Sequence, residues 1–307
     1  MLVDELVKKV SEISKDTQYW FVRTNDGEYF QYFVDGNYIG IGWNPITMED
    51  LQTKSEFEVK AKIAIIENVN TGTTEGKRKV SDVYNKIVRF KDLRKGDIVI
   101  IPSRGSSRFA FGEVADAYVY IENNDKDCPF YKRRKINWIT VENTHRLDPM
   151  FYQVKNSRHT ISNVDAYANY IDNVIRYLYI KDDNAHFILD FLSHDGVNID
   201  SLIDLLTGIK DLMSELNVKF QLGEDIGQSE IRLNLQSPGS VEIKLPSGKT
   251  LILLAATLAI SACGADEVNI EDKAELEVLV QENPDSLQKI HNAFDSMQAD
   301  HTKINSF

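Results

Sequence analysis

The chain has 307 residues, of which 42% are hydrophobic and 27% charged, and it is long enough to build two hydrophobic cores. This composition excludes a disordered protein, and a total of two cysteines, Cys128 and Cys263, excludes a disulfide framework. We therefore expect a protein of a reducing compartment, the cytoplasm. The longest apolar run, Leu251 to Cys263, is too short to cross a bilayer, so we expect no membrane partner.

Charge is distributed unevenly along the chain. The net charge is −12, but residues 1–160 hold 25 basic and 23 acidic side chains, whereas residues 161–307 hold 10 and 24. Such an asymmetry indicates two modules with different partners. The acidic half should repel a polyanion, so any contact with nucleic acid is expected from the first half.

The first half is predicted to begin with an amphipathic helix at residues 2–14 and then to change to short strands. The predicted strands are 19–23, 29–34, 38–43, 98–102, 109–114, 118–121 and 136–141. A polar loop at 68–76 precedes a helical pattern at 80–90, and Asn25-Asp26-Gly27 is typical of a turn. Short strands at regular intervals favour a small curled sheet or barrel.

The pattern becomes mixed after residue 162. Helices are predicted at residues 164–178, 185–192, 199–216, 249–263, 275–281 and 286–298, and Gly264 is a suitable C-cap residue. Strands are predicted at residues 218–222, 230–235 and 240–245, the last two joined by a turn at 236–239. The sequence therefore predicts an α+β chain with a division near residues 145–162.

Basic residues of the first half are concentrated in two places. Residues 77–108 hold ten Lys and Arg against three acids, and residues 132–135 read Lys-Arg-Arg-Lys. Such patches can contact phosphates, although an ordinary solvated helix face has the same composition. The candidate phosphate contacts are Lys77, Arg78, Lys79, Arg89, Arg94, Lys132, Arg133 and Arg134.

Aromatic residues are dense in the same half, which holds all three tryptophans, Trp20, Trp43 and Trp138. Most should be core residues. Consecutive aromatics such as Tyr19-Trp20-Phe21 nevertheless place some rings on the outer face or at the mouth of a barrel. Aromatic rings beside a basic loop can stack an unpaired or flipped base.

Two motifs of the second half permit an enzymatic interpretation. Glu242-Ile243-Lys244, with Asp225 or Glu230 as a first acid, matches the Glu-x-Lys pattern of metal-dependent nucleases, but alternation on a half-exposed strand gives the same pattern by chance. Gly248-Lys249-Thr250 lacks the earlier glycine that a phosphate-binding loop requires, and it is interpreted as a polar helix start. We predict no catalytic residue, cofactor or metal.

Several segments together resemble the PUA-like domain, which is related to EVE, ASCH and YTH domains. They are Tyr19 to Arg23, Tyr38 to Trp43, Lys95 to Pro102, Phe111 to Val114 and Arg133 to Trp138. The resemblance covers about residues 18–145. PUA-like domains of this kind accompany Mrr-type and McrB-type restriction proteins and other prokaryotic antiviral systems, and the second half resembles no family.

The resemblance implies a curled β-barrel with flanking helices that recognises a modified or flipped base in DNA or RNA. It places Trp20, Trp43, Ser103 and Arg104 near the base-binding pocket. The expected domains are a PUA-like reader at 1–150, including the N-terminal helix, and a smaller acidic α+β domain at 160–307. We expect the acidic domain to bind a protein partner or a second copy of the chain.

Two other functions remain open from the sequence. A Mg²⁺-dependent nuclease would use Asp225, Glu242 and Lys244. A sensor would bind a small nucleotide or a phage protein in the barrel and relay the signal through the acidic half.

Overall fold

The computed structural model describes residues 2–157, 159–193, 196–234, 239–263 and 273–300. The chain divides into two compact units. The N-terminal unit is Thr17–Ile171, and the C-terminal unit is Asp172–Phe307 together with Met1–Asp16.

The N-terminal unit contains one curled sheet and six described helices. Its strands are β2 (Tyr19–Val22), β3 (Tyr38–Ile41), β4 (Ile98–Pro102), β5 (Arg108–Val114), β6 (Tyr120–Ile121), β7 (Lys132–Asn143) and β8 (Ile161–Asn163). Its helices are α2 (Phe30–Asp35), α3 (Met48–Thr53), α4 (Glu56–Ile66), α5 (Thr74–Lys91) and α6 (Phe151–Lys155), and α7 (Ala168–Ile175) spans the division between the units.

The sheet has the order β3-β7-β5-β4-β2-β8, with β6 paired to β7, and it curls into a half-barrel. β2 and β4 are parallel, and the other pairs are antiparallel. Every residue of β4 is buried, which explains its continuous apolar sequence. Gly96, at φ +87°, makes the turn that leads into this strand.

A second layer is formed by α3, α4 and α5. Thr47 and Ser55 begin α3 and α4 with capping boxes, and the Thr73 hydroxyl accepts a hydrogen bond from Gly76 N at the start of α5. One face of α5 packs on α4 through an apolar cluster, Ile46, Val59, Ile63, Val80, Val83 and Ile87. The opposite face of α5 is left to solvent.

The C-terminal unit combines a five-stranded sheet with five helices in its described part. It consists of α1 (Leu2–Lys9), β1 (Ser11–Glu12), β9 (Leu178–Lys181), β10 (Asn184–Phe191), α8 (Ile199–Lys219), β11 (Glu230–Asn234), β12 (Gly239–Pro246), α9 (Lys249–Cys263), α10 (Ala274–Glu282) and α11 (Pro284–Met297). The strand order is β1-β9-β10-β12-β11.

The core of the C-terminal unit lies between one face of this sheet and the helices. Val241, Ile243 and Leu245 of β12 belong to it, as do the buried residues of α9. The predicted apolar helix and strand at these positions are confirmed as elements, and both are core. The predicted turn at 236–239 lies largely outside the described residues, and Gly264 lies entirely outside them.

Three predicted elements are wrong. Residues 29–34 form α2 rather than a strand, because Phe30 and Phe33 are one helical turn apart and both are buried. Of the helix predicted at residues 185–192, residues 185–191 lie in strand β10, since both faces of this central strand are covered and its sequence lacks clear alternation. Residues 218–222 lie at and beyond the end of α8 rather than in a strand.

The division into units also differs from the expected boundaries. The first helix joins the C-terminal unit, because Leu2 and Leu6 are buried in its core and β1 pairs with β9. The division between the units falls within α7 rather than near residue 150. No helix in the described part of the chain is both long and apolar enough to cross a membrane.

Candidate nucleic-acid interface

The solvent face of α5 carries three of the exposed cations of the first basic cluster, Lys77, Arg78 and Arg89. Arg78 and Arg89 are eleven residues apart, close to three helical turns, so they share one face about 16 Å apart. Lys77 is exposed beside them, and Asp82 lies between the two arginines. Within the described residues, Lys77, Arg78 and Arg89 form no ion pair. Three guanidinium or ammonium groups are therefore available to an anionic ligand.

Lys79 and Lys86 lie on the flank of α5 and contact Trp43 and its partner Glu67. The Trp43 indole Nε1 donates a hydrogen bond to Glu67 Oε1 at 2.8 Å, and Lys79 Nζ lies 3.4 Å from Glu67 Oε2. Lys86 Nζ lies over the Trp43 ring, 5.8 Å from its centroid. Of the predicted phosphate contacts, Lys79 is thus exposed but already paired.

A groove of about 460 Å³ lies at the start of α5. Its lining includes Asn70, Thr73, Arg78 and Lys79. Two predicted phosphate contacts, Arg78 and Lys79, therefore line this groove. The exposed face of α5 extends from Arg78 toward the end of the helix.

Lys132, the first residue of the second basic cluster, is buried and serves the fold. Its side chain is 2% exposed, and its Nζ donates to Trp43 O at 2.9 Å and Ile46 O at 3.0 Å. Trp43 has φ +55°, a conformation that bulky side chains rarely adopt, so Lys132 holds the carbonyl of a strained turn. Burial lowers the pKa of Lys132 to about 8.

Arg133 and Arg134 are also buried, and their donors are largely used within the unit. Arg133 pairs with Asp125 at 2.7 Å and lies over the Tyr38 ring, 4.2 Å from its centroid. Arg134 donates to four main-chain oxygens, those of Lys91, Leu93, Asp116 and Ala117. These contacts correct the interpretation of residues 132–134 as a phosphate-binding surface, since a buried strand holds all three side chains.

The two tryptophans of the predicted pocket have structural contacts. Trp20 is buried in the cluster inside the half-barrel, and its Nε1 donates to Asp97 Oδ2 at 3.3 Å. Trp43 is half-buried and packs against two apolar clusters of the unit. In the sheet, β4, β5 and β7 lie between β2, which contains Trp20, and β3, which ends two residues before Trp43.

Ser103 and Arg104 lie on a loop that other segments hold in place. The Ser103 hydroxyl accepts a hydrogen bond from Arg108 N at 2.8 Å, whereas Arg104 is exposed. The turn at Gly27, φ +88°, touches this loop so closely that a Cβ atom there would lie 2.1 Å from Arg104 N. Arg104 is therefore the member of the predicted pocket that remains accessible.

Arg94 and Arg108 are two further exposed cations of the N-terminal unit. Arg94 is exposed and forms an ion pair with the buried Asp97 at 3.1 Å, so it stabilises the turn before β4. Arg108 is exposed at the start of β5, and its guanidinium lies over Phe30, 5.4 Å from the ring centroid. Arg108 belongs to the basic run at residues 77–108 but is not among the predicted phosphate contacts.

Glu242, the acid of the predicted nuclease motif, is buried in a polar network of the C-terminal unit. It contacts His186 Nδ1 at 2.8 Å, Asn173 Nδ2 at 2.9 Å and Arg232 at 3.2 Å. Burial opposes its ionisation, but these hydrogen bonds outweigh burial and hold the pKa of Glu242 below its ordinary value. Its carboxylate oxygens are therefore already neutralised by protein donors.

The other members of the nuclease motif are engaged elsewhere. Asp225 caps a short helical turn by accepting a hydrogen bond from Gly227 N, and Lys244 pairs with Glu230 at 3.1 Å. In the described residues, no group of three or more His, Cys, Asp or Glu side chains could hold a metal ion. The main-chain N–H groups of Lys249 and Thr250 both donate to the Glu224 carboxylate, which occupies the start of α9.

The comparisons with known proteins bear on the N-terminal unit alone. No curated protein and no solved structure matches the chain. Residues 19–165 match a family described as a domain of unknown function, DUF8426, and this match covers nearly the whole N-terminal unit.

Proposed function

We propose that the N-terminal unit is a nucleic-acid-binding domain of the PUA-like kind, and that it contacts the phosphate backbone through the solvent face of α5. The observation that carries the proposal is the set of three exposed cations, Lys77, Arg78 and Arg89, which have no ion-pair partner among the described residues. Most other candidate cations of this unit are buried or paired. A helix face of this kind suits a chain of phosphates because each contact releases condensed counterions.

Fewer residues are proposed to contact a base than the sequence analysis predicts. Trp20 and Trp43 hold the fold, so we leave them out of the proposed contact. Arg104, two residues beyond the end of β4, and Arg108, the first residue of β5, are both exposed. An arginine there can donate two hydrogen bonds to a guanine edge or stack on an unpaired base.

The test is fluorescence anisotropy with labelled oligonucleotides, single- and double-stranded, plain and carrying modified bases. Three phosphate contacts predict that affinity for duplex falls about 40-fold when salt rises fourfold. Arg78→Glu/Arg89→Glu should abolish binding. The matched control, Lys210→Glu/Lys289→Glu, makes the same charge change on the C-terminal unit and should retain it.

Two outcomes contradict the proposal. The first is an absence of binding to every oligonucleotide at low salt. The second is equal loss of binding in the α5 variant and in the control, because net charge rather than a defined surface would then explain the effect. Arg104→Ala separates the two parts of the proposal, since it should reduce discrimination between oligonucleotides while leaving the salt dependence nearly unchanged.

A further inference from the structure

β11 is an open edge of the C-terminal sheet. Among the described strands it pairs with β12 alone, and the side chains of Glu230–Leu233 are exposed on both faces. The opposite edge, β1, is only two residues long. Natural proteins usually shorten or cover such edges, because free N–H and C=O groups accept another strand. A five-residue edge left open therefore indicates a partner strand.

One face of β11 is apolar. Ile231 and Leu233 lie opposite Ile243 and Val241 of β12, which are buried in the core. The two β11 side chains nevertheless keep 47% and 38% of their surface exposed. A strand added beside β11 would extend this apolar face and cover both side chains.

The other face of β11 is charged and slightly hollow. A groove of about 410 Å³ is lined by Glu230, Arg232, Glu242, Lys244 and the edge of Ile231. Glu230 and Arg232 are two residues apart on the same face, one acidic and one basic. An incoming strand that places a basic residue opposite Glu230 and an acidic residue opposite Arg232 matches this order.

We propose that the partner is a second copy of this chain, with the two β11 strands paired antiparallel about Ile231. In this register Ile231 lies opposite the partner subunit's Ile231, and Glu230 lies opposite the partner subunit's Arg232. The twofold symmetry repeats the charge pair, so one short strand supplies one apolar pair and two ion pairs. Opposite charges and branched apolar residues are the cross-strand pairs that stabilise antiparallel sheets.

The neighbouring register that keeps both faces aligned is less favourable. Centred on Arg232, it places Arg232 opposite the partner subunit's Arg232 and Glu230 opposite an asparagine. Like charges directly opposite destabilise a strand pair. The self-complementary order of Glu230 and Arg232 therefore selects the register centred on Ile231. This dimer is independent of nucleic-acid binding by the N-terminal unit.

Disulfide trapping in the full chain tests both the dimer and its register. In a Cys263→Ser background, Ile231→Cys should form a covalent dimer on mild oxidation, because directly opposed residues lie within the Cα distance that a disulfide spans. The matched control is Leu233→Cys, whose two copies would be offset by four residues, about 14 Å, and should not cross-link. Arg232→Cys reports the competing register.

Light scattering provides the second measurement. A five-residue strand pair is smaller than a standard interface, so the wild-type chain should change from monomer to dimer between about 1 and about 100 μM. Ile231→Lys should remain a monomer at both concentrations with an unchanged circular dichroism spectrum. A wild-type monomer throughout, cross-linking as strong in Leu233→Cys or Arg232→Cys, or a dimer that survives Ile231→Lys would each overturn the proposal.

Discussion

Lys132→Met tests how the N-terminal unit accommodates a buried lysine. Burial lowers the pKa of Lys132 from 10.5 to about 8, which corresponds to a cost of about 3 kcal/mol for keeping the ammonium folded at neutral pH. Methionine keeps most of the volume and removes this cost. It also leaves Ile46 O without its lysine donor, a loss of about 2 kcal/mol, whereas Trp43 O keeps the hydrogen bond from Ile46 N.

We therefore expect Lys132→Met to stabilise the unit by about 1 kcal/mol at pH 7. The sign of the pH dependence follows from the depressed pKa. The folded state binds fewer protons than the unfolded state between pH 8 and 10.5, so the wild type gains stability as pH rises through this range. The advantage of the variant should shrink by about 1 kcal/mol between pH 7 and pH 9.

Urea unfolding followed by tryptophan fluorescence measures this difference, because Trp20, Trp43 and Trp138 all lie in the N-terminal unit. Lys135→Met is the matched control, since Lys135 is exposed on the same strand and should show no such change. A stability difference between wild type and Lys132→Met that stays constant from pH 7 to pH 9 would refute the reasoning, because burial would then not disfavour the ammonium.

Three further changes have defined outcomes. Asp97→Ala should cost about 3 kcal/mol in urea unfolding, because it leaves the N–H groups of Trp20 and Gln18 without their acceptor. Gly27→Ala should cost more than about 2 kcal/mol by the same assay, since its Cβ would collide with Arg104 N at a positive φ, and Gly105→Ala, with no atom within 4 Å, should cost less. Glu242→Ala should lower the free energy of unfolding of the C-terminal unit by about 3 kcal/mol, measured by circular dichroism, because it leaves the side chains of His186 and Asn173 without their shared hydrogen-bond partner. The wild-type contribution of Glu242 should be lost as pH falls through its lowered folded pKa, whereas Glu242→Ala should show no such acid dependence.

The sequence was most informative where local chemistry and burial agree. Gly96-Asp97 followed by four aliphatic residues predicts a turn and a buried strand, and β4 is that strand. The apolar pattern of residues 185–192 led to the wrong element. A central strand that is covered on both faces shows no alternation, so its sequence resembles that of a buried helix. The prediction that the first helix belongs to the N-terminal domain is wrong, since nothing local indicates that Leu2 and Leu6 pack against residues of the second half.

The candidate site, too, could be predicted from the sequence only in part. The positive charge of residues 132–134 suggests that their side chains are exposed. In β7, however, all three are buried and donate hydrogen bonds to main-chain oxygens and to Asp125. A sequence shows neither the curl of a sheet nor the carbonyl groups that converge inside it. Helical periodicity, by contrast, separates Val80, Val83 and Ile87 from Arg78 and Arg89 without knowledge of the fold.

The cations of the N-terminal unit therefore divide into two groups with different consequences. Lys132, Arg133 and Arg134 hold loops and strand ends in place, so their replacement changes stability and alters any binding surface only indirectly. Arg78 and Arg89 make no such contacts with the residues that the structure describes, so their replacement should leave stability nearly unchanged. A protein that used the whole basic run for binding would couple affinity to stability, whereas this arrangement separates the two. The α5 face is consequently a part of the unit where substitutions can test the proposed binding without changing the fold.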